Sequence, residues 1–435
     1  MNFGGSQIMN HLKPFNFTIM FFIAVIVMIT PLYGVTLQSH TDNNLTKANE
    51  LFHNGQFDEA GQLFKKLLEN DPDSYDAVIG MSRIFVLCNK LDKAETFIKK
   101  AIKLKPGEKE PQMLMGEILY RQDRYFEAAQ YFEAAGQKAK AEKMRAFKGK
   151  TPFLIEKGPN ISIVPFIRTD PLPTIEITVN GQKGIFLIDT GALDLHINPN
   201  FAEKCGIKPL GETQIGTFAG GRQAALNSGV ANSVQLGDFS ILNVPVTLPE
   251  KGQGLFGVDG IIGTAALYHF KFTLDYPGGK LILQRYPADA SSKSLAESDL
   301  EGYIQIPFWM VGDHFIIARG TANGAGPYLF IVDTGMAGAG FSCQKYLIDE
   351  AKIEVSKQGF QGMGGGGPIT IYPFLVNLSL GDAHNDNVRG FFGAMPFDSE
   401  NRFGFRTGGI ISHGFFRPFS VTFDFQNMNM YLKKA

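Results

Sequence analysis

The pattern of apolar and polar positions changes twice along the 435 residues. An uninterrupted apolar run, IMFFIAVIVMI, occupies residues 19–29. Residues 41–148 mix charged positions with apolar positions at helical spacing, which predicts amphipathic helices. From residue 163 onward the apolar runs are short and strand-like, and glycines separate them. The chain therefore divides into an apolar leader, a helical part and a β-rich part.

The apolar run near the amino terminus is typical of a signal peptide. It holds 11 residues, too few for a bilayer span of about 20, and no charged residue lies between Lys13 and Asp42. Gly34 and Ser39 are small enough for cleavage, but no A-x-A site follows the run. We predict a signal peptide over residues 1–40, with an uncleaved anchor over residues 15–35 as the alternative. Either form predicts an exported chain, periplasmic or secreted.

The charged part repeats itself every 34 residues between positions 41 and 142. The positions that superpose are Ala60, Ala94 and Ala128; Phe64, Ile98 and Phe132; Leu67, Ala101 and Ala135; and Pro72 with Pro106. Small residues let two antiparallel helices approach closely, and a proline cannot continue a helix. This pattern resembles three tetratricopeptide repeats, and we predict such helices over residues 41–148. The resemblance implies a solenoid whose groove binds a protein partner or substrate; the alternative is an array that only braces the rest of the chain.

Composition changes near residue 149. Residues 41–148 hold 6 of the 49 glycines, whereas residues 149–435 hold 40. Residues 149–162 lose the helical pattern and carry proline and glycine, so we predict a linker there. The net charge of −1, from 41 basic and 42 acidic residues, argues against a nucleic-acid partner bound through its phosphates.

The glycine-rich part also contains a repeat. The run GIFLI precedes Asp189-Thr190-Gly191, and the run YLFIV precedes Asp333-Thr334-Gly335. After the first motif come GIIG at 260–263 and TLDY at 273–276; after the second come GIIS at 409–412 and TFDF at 422–425. The order is the same in both copies, and both offsets grow by five residues in the second. We predict two copies of one β-rich lobe, over 163–287 and 303–435, joined by the connection 288–302.

The paired aspartates are the candidate chemistry. An apolar strand that ends at a carboxylate delivers it into a dry interior, where its pKa rises. A pseudo-twofold relation between the lobes can bring Asp189 and Asp333 together. Two carboxylates in contact share one proton, which provides an acid and a base in one site.

Residues 163–433 resemble a tandem of retropepsin-like aspartic protease domains, arranged as in a bilobal pepsin-type enzyme. The resemblance implies that Asp189 and Asp333 are catalytic. It implies a supporting role in the two loops for Thr190, Gly191, Thr334, Gly335, Ile261, Ile262 and Gly263. It also implies a flap, a glycine-rich hairpin that closes over substrate, and the chain offers two candidates that could otherwise be ordinary flexible loops. These candidates are residues 218–221, with Phe218, Gly220 and Gly221, and residues 362–367, with Met363, Gly364 and Gly365.

The chain departs from the pattern of this family in three places. Met336 follows the second motif where retropepsins usually have alanine, and Ser412 replaces a glycine of the supporting element. Neither flap candidate contains the tyrosine typical of pepsins. These departures concern the loop geometry of the second lobe and the flap, and none removes a catalytic carboxylate.

Other acidic residues near the motifs are predicted to be structural. Asp275 and Asp424 occupy matching places at strand ends, which favours a role in the turn. Asp194 and His196 follow the first motif, but the second copy has glycine at both equivalent positions. We therefore predict only a local structural role for this pair.

Together these patterns predict a multidomain chain, an all-α tetratricopeptide solenoid followed by an all-β bilobal aspartic protease fold of two β-barrel lobes. The expected function is that of an exported aspartic endopeptidase, in which Asp189 and Asp333 activate a water to hydrolyse a peptide or protein. No metal or organic cofactor is expected, and a membrane is a partner only if the leader is uncleaved. The alternatives are a non-catalytic protein-binding scaffold with degenerate lobes, or lobes that pair between chains.

Overall fold

A computed structural model of the chain describes residues 43–250, 257–287, 301–364, 367–396 and 398–435. The predicted signal peptide or anchor lies outside the described residues. Most of the predicted connection 288–302 lies outside them as well, and so does Gly365 of the second flap candidate.

The first part of the described chain is helical, as predicted. Its helices are α1 (43–53), α2 (Phe57–Asn70), α3 (Tyr75–Leu87), α4 (Leu91–Leu104), α5 (Lys109–Arg121), α6 (Tyr125–Ala134) and α7 (Lys138–Arg145). The repeat positions Ala60, Ala94 and Ala128 are fully buried in α2, α4 and α6. Gly116 of α5 lies so close to Phe132 of α6 that an added Cβ would stand 2.7 Å from the ring. The small residue is therefore required by close helix packing.

The rest of the described chain is rich in β-strands, with short helices at the strand ends. The first lobe and the segment before it contain β1 (Leu154–Lys157), β2 (Ile161–Pro165), β3 (Thr174–Val179), β4 (Gln182–Ile188), β5 (Leu195–Ile197), α8 (Pro199–Lys204), β6 (Leu210–Phe218), β7 (Arg222–Leu236), β8 (Phe239–Pro249), β9 (Gly260–Ile262), α9 (Thr264–Leu267), β10 (Phe270–Asp275) and β11 (Lys280–Arg285). The second lobe contains β12 (Ile304–Val311), β13 (Phe315–Ala322), β14 (Ala325–Val332), β15 (Phe341–Cys343), α10 (Lys345–Glu350), β16 (Phe360–Gly364), β17 (Gly367–Leu380), β18 (Ala383–Phe392), α11 (Ser399–Phe403), β19 (Gly409–Ile411), α12 (His413–Phe416), β20 (Phe419–Asp424) and β21 (Asn429–Lys434).

The two lobes repeat one strand arrangement. In the first lobe β4 runs parallel to β9, with Phe186 opposite Gly260. In the second lobe β14 runs parallel to β19, with Phe330 opposite Gly409. Both phenylalanines stand three positions before the motif aspartate, so the register is the same in the two lobes. The internal repeat in the sequence is therefore a repeat of structure.

One sheet crosses from lobe to lobe. An eight-stranded sheet belongs to the first lobe, and a thirteen-stranded sheet continues from the second lobe through β20 into β10, β11 and β2. At the crossing, antiparallel β10 and β20 place Thr273 opposite Thr422, and their hydroxyl oxygens lie 2.7 Å apart. Phe272 stacks on Phe423 with ring centroids 4.7 Å apart. Backbone hydrogen bonds and ring packing thus hold the lobes together on one platform.

The predicted linker 149–162 is part of the sheets instead. β1 pairs with β8 at the edge of the first-lobe sheet, and β2 pairs with β11 at the edge of the shared platform. The polar, proline-containing composition suits edge strands because one side of each strand faces away from the sheet. Composition alone does not separate such edge strands from a linker.

The solenoid packs directly on both lobes. The amide of Asn89, in the turn after α3, donates to the Tyr268 hydroxyl (3.0 Å) and the Phe425 carbonyl (3.2 Å). The buried guanidinium of Arg121 donates to the Val86 carbonyl and, across the interface, to the Met310 carbonyl. Buried apolar side chains form one continuous core from the helices into both lobes. Among the helices that the structure describes, none has the length and apolar character needed to cross a membrane.

Candidate active site

The two motif aspartates end equivalent strands and have equivalent backbone contacts. The amide of Asp189 donates to the Ile262 carbonyl (3.1 Å), and the amide of Asp333 donates to the Ile411 carbonyl (3.0 Å). Each carboxylate accepts a hydrogen bond over 2.8 Å from the amide two residues on, Gly191 in one loop and Gly335 in the other. Each strand therefore delivers its carboxylate to a turn that fixes the side chain.

The two threonines link the loops to each other. The Thr190 amide donates to the Thr334 hydroxyl and the Thr334 amide donates to the Thr190 hydroxyl, both over 3.1 Å. The Thr190 hydroxyl donates in turn to the Val332 carbonyl (2.9 Å), and the Thr334 hydroxyl to the Ile188 carbonyl (3.3 Å). Both threonines are buried, so these four bonds are shielded from water. Two lobes of a single chain thereby share one interlocked pair of loops.

The carboxylates face each other across this pair of loops. A Cβ added to Gly191 would overlap the Asp333 carboxylate, and one added to Gly335 would overlap the Asp189 carboxylate. Both aspartates keep partial exposure. The two acids are thus partly accessible to solvent, and only glycine fits beneath each of them.

Both carboxyl groups have raised pKa values. Burial, the charge of Asp333 and a hydrogen bond to Asp333 raise the pKa of Asp189 well above 3.8. Burial also raises the pKa of Asp333, although hydrogen bonds from Gly335 and Asp189 and the nearby His314 oppose the rise. At neutral pH the pair holds a proton more readily than two separate aspartates. The arrangement provides a proton donor and a proton acceptor side by side.

The supporting elements differ between the lobes. Gly263 follows Ile261 and Ile262 of β9, and a Cβ there would stand 2.5 to 2.6 Å from the carbonyl oxygens of residues 192–194. Ser412 occupies the equivalent place in the second lobe, where its buried hydroxyl accepts a hydrogen bond from the Met336 amide over 3.1 Å. The second lobe therefore has room for a side chain at this position and uses its hydroxyl.

The two flap candidates lie in hairpins, one in each lobe, that approach each other. Phe218 ends β6, and residues 219–221 form the turn into β7; Met363 and Gly364 lie at the end of β16. The Gly220 amide donates to the Ala394 carbonyl of the second lobe (3.2 Å), and a Cβ added to Gly364 would stand 3.0 Å from the Ala219 Cβ. Gly221, at φ 71°, permits the tight turn. Each lobe thus contributes one hairpin, and Gly364 of one lies beside Ala219 of the other.

Apolar side chains lie beside both Asp-Thr-Gly loops. Ala192 and Ala337, each just after a motif, pack against a cluster of Leu172, Leu187, Val258 and Ile261. Met336 and Ala219 pack against a second cluster of Ala339, Ile369, Ile371, Phe391 and Ala394. Met336, where retropepsins usually have alanine, therefore packs a larger apolar side chain against the cluster beside the second loop.

Three other acidic residues near the motifs, Asp275, Asp424 and Asp194, act in turns or in an interface. The Asp275 carboxylate accepts from the Gly278 amide (3.0 Å) and the Asp424 carboxylate from the Asn427 amide (3.1 Å), as expected of turn residues. Asp194 is fully buried against Lys143 of α7. Within the described ranges no group of three or more His, Cys, Asp or Glu side chains is arranged to hold a metal ion.

Sequence patterns do not identify two further polar contacts of the first loop. The His314 Nε2 atom lies 3.2 Å from the Gly191 carbonyl oxygen, 123 positions away in sequence and outside any motif. Lys143 reaches Asp194 from the solenoid across 51 positions. The sequence offers one indication of the Lys143 contact, because Asp194 stands where the second lobe has Gly338.

Comparison with known proteins matches both parts of the chain to families. Residues 175–266, which include the first motif and GIIG, match the family model for aspartyl proteases. The chain contains an aspartyl protease domain. Residues 51–118 match the model for tetratricopeptide repeats. The protease domain thus follows a tetratricopeptide solenoid, as the sequence patterns predicted.

Solved structures with similarity to the chain include two proteases. An aspartic proteinase from Irpex lacteus aligns over 63% of this chain and 97% of its own, with 12% identity and a TM-score of 0.41. A retropepsin-like aspartic protease from Rickettsia conorii aligns over 29% of this chain and 89% of its own, with 24% identity and a TM-score of 0.22. A comparison with curated proteins gives no match.

Proposed function

We propose that the protein is an aspartic endopeptidase whose catalytic pair is Asp189 and Asp333. The observation that carries the proposal is the facing pair of partly exposed carboxylates with raised pKa values on interlocked loops. A degenerate scaffold has no need to keep both acids, both threonines and both glycines in register. The site has the groups that water activation requires.

The proposed reaction hydrolyses a peptide bond without a covalent intermediate. The ionised carboxylate removes a proton from a water held between the pair, and the water oxygen attacks the scissile carbonyl carbon. The protonated partner donates to the carbonyl oxygen as negative charge develops there, which gives a tetrahedral gem-diol. The carboxyl group that took the water proton then donates it to the amide nitrogen, the C–N bond breaks, and the products leave as a carboxylic acid and an amine. Because the two groups titrate as a unit, the proton belongs to the pair and not to one aspartate. Gly191 and Gly335 amides stabilise whichever carboxylate is charged.

We propose that substrate is an extended peptide with apolar residues at the scissile bond. The support is that Ala192, Ala337 and Met336, which follow the two motifs, are partly exposed apolar side chains packed on buried apolar clusters. The two hairpins, which approach each other at Ala219 and Gly364, are proposed to move apart when a peptide enters. Their glycines leave backbone amides and carbonyls available to the peptide once the tips close again.

The test is cleavage of a peptide library by the full chain from acid to neutral pH. Asp189→Asn and Asp333→Asn should each abolish cleavage, whereas Asp382→Asn, an exposed aspartate of the second lobe, should leave it unchanged. A wild-type chain that binds peptides without cleaving them would support the scaffold alternative. Loss of activity on dilution to a monomer would support pairing between chains.

We also propose that the chain is exported, to the periplasm or outside the cell. The support is the charge-free apolar run 19–29 near the amino terminus. Cell fractionation should find the protein outside the cytoplasm, and a charged substitution within the run should retain it inside. Mass determination of the exported protein distinguishes a cleaved signal peptide from an anchor.

Partner or substrate binding by the solenoid groove stays a prediction. The contacts of Asn89 and Arg121 with the two lobes support a bracing role for the solenoid as well. If the solenoid binds protein substrates through an exposed face of α2 or α4, substitutions of exposed side chains on that helix should raise KM for protein substrates and leave short peptides unaffected.

A further inference from the structure

The last solenoid helix, α7, reaches the first catalytic loop by a buried ion pair. The Lys143 ammonium binds the Asp194 carboxylate, and both side chains are almost wholly buried. Asp194 also accepts from the Thr247 hydroxyl (2.9 Å) and the Tyr120 hydroxyl (3.4 Å). A buried charge is stable only when paired and hydrogen-bonded, so this contact fixes where the residues around Asp194 lie.

Asp194 is tied to the motif through the supporting element. Its carbonyl accepts from the Gly263 amide (3.1 Å), and the Ala192 carbonyl accepts from the Thr264 amide (2.9 Å). The Thr264 hydroxyl donates to the Thr190 carbonyl over 2.7 Å. The path from Lys143 to the Asp189 loop therefore consists of short, buried hydrogen bonds.

A second path starts one turn earlier on α7. The Lys140 ammonium lies 2.8 Å from the Asp313 carboxylate, whose other oxygen lies 2.7 Å from His314 Nδ1. The opposite ring nitrogen, Nε2, lies 3.2 Å from the Gly191 carbonyl oxygen. Gly191 is the residue whose amide holds the Asp189 carboxylate. Lys140 thus reaches the catalytic loop through two side chains.

The charges along the second path support one another. Although burial raises the pKa of Asp313, Lys140 and His314 outweigh burial and hold that pKa well below 3.8. Burial lowers the pKa of Lys140, but Asp313 and Glu117 outweigh it and raise that pKa. Both ring nitrogens of His314 lie within hydrogen-bonding distance of an oxygen atom, Nδ1 of the Asp313 carboxylate and Nε2 of the Gly191 carbonyl. Other charged or titratable groups around this path are Glu117, Arg121, Arg402, His196, Asp194 and Asp333.

We propose that Lys140 and Lys143 of the solenoid are positioning residues for the catalytic pair, acting through Asp313–His314 and through Asp194. This inference rests on the proposed protease function. It assigns the solenoid a role in setting the geometry around Asp189, beyond bracing. The second loop has no equivalent contact among the described residues, because Gly338 and Gly340 replace Asp194 and His196 there. The solenoid therefore acts on one half of a symmetric site.

Kinetics of α7 variants in the full chain test the proposal. Lys140→Met should lower kcat roughly 10- to 100-fold with KM within about twofold, as expected when a reacting group is misplaced. The pair Lys143→Met with Asp194→Asn should act alike without leaving a buried unpaired charge. Lys138→Met, an exposed lysine on the same helix, is the matched control and should match wild type. Wild-type kcat in both test variants would overturn the proposal.

A variant of His314 separates charge from structure. Glutamine at this position can still donate to the Gly191 carbonyl but carries no charge. His314 lowers the pKa of Asp333, so His314→Gln should raise that pKa and move the pH–rate profile to higher pH. A lower rate with unmoved limbs would mean that His314 is only structural and would refute the charge effect.

Hydrogen exchange keeps the test independent of activity. Amides of residues 188–195 should exchange faster in Lys140→Met and in the Lys143→Met and Asp194→Asn pair than in wild type or Lys138→Met. If wild type cleaves no peptide, the proposed function fails, but faster exchange still supports the positioning role. Unchanged exchange overturns the positioning role whatever the activity.

Discussion

The backbone amide of Thr190 donates to the hydroxyl of Thr334, and the amide of Thr334 donates to the hydroxyl of Thr190. Each hydroxyl then donates to a strand carbonyl of the other lobe. Neither loop can satisfy its buried groups without the other. The distance and orientation between the two aspartates therefore depend on the contact between the lobes.

Thr334→Val should lower the free energy of unfolding and activity together. Valine keeps the shape but leaves the Thr190 amide without its acceptor and the Ile188 carbonyl without its donor. Each buried group left unpaired costs about 1–3 kcal/mol. Denaturant unfolding measures the loss. Thr334→Ser retains the hydroxyl and should lose no more than about 1 kcal/mol for the missing methyl; equal losses in the two variants would contradict the role of the hydroxyl.

Alanine at Gly191 or Gly335 should abolish peptide cleavage in a folded protein. The added methyl group would overlap the opposing carboxylate and push the acids apart. A displacement of about 1 Å in a catalytic group can cost roughly 100-fold in rate. Gly107→Ala is the control, because its surroundings are open and its φ is not in the left-handed region. Activity within a few fold of wild type in Gly191→Ala would show that the acids do not react as a close pair.

Asp189→Asn should stabilise the protein at pH 7 but not at pH 3. Above pH 3.8 the unfolded chain releases the Asp189 proton, whereas the folded state holds it because the pKa is raised. The folded state binds more protons in that range, so its stability falls as pH rises through the raised pKa. Each unit of raised pKa corresponds to about 1.4 kcal/mol.

Thermal unfolding across pH checks this expectation. The difference in Tm between Asp189→Asn and wild type should grow from pH 3 to pH 7. Asp382→Asn serves as the comparison, with a difference that stays constant. A constant difference for Asp189→Asn would argue that its carboxyl group is not perturbed.

The supporting elements should respond unequally to exchange of their residues. Gly263→Ala forces a methyl group against the carbonyls of residues 192–194 and should destabilise the chain by several kcal/mol, on the order of core overpacking. Ser412→Gly removes only the hydrogen bond to the Met336 amide and should cost about 1–2 kcal/mol. Unfolding midpoints in denaturant compare the two. Equal costs would mean that the lobes are interchangeable here.

Much of the architecture is readable from the sequence because it is repeated. The 34-residue period predicts helices whose alanines prove to be buried, and the two Asp-Thr-Gly motifs stand in the same register in both lobes. When the same residues recur at the same spacing, the same packing requirement is present in each copy, which makes it recognisable in the sequence. Local rules such as a turn glycine or a close helix contact depend on neighbouring residues, so the sequence contains them.

Contacts between parts of the chain are not readable in the same way. The segment 149–162 has the composition of a linker because edge strands tolerate polar residues, yet it completes two sheets. Lys143 touches the first loop only because the solenoid packs beside it, and His314 touches that loop only because the second lobe does. These positions are single, unrepeated and distant in sequence, so no periodicity reveals them.

The crossing of β10 and β20 has a consequence for a chain that ends after the first lobe. Such a fragment would leave the β10 edge unpaired, with Thr273 at the position that meets Thr422 in the full protein. Because the two strands meet antiparallel through equivalent threonines, β10 is nearly its own complement. In the full protein the equivalent strand of the second lobe covers this edge, and we expect that in the fragment the edge would be free to pair with a second copy of β10.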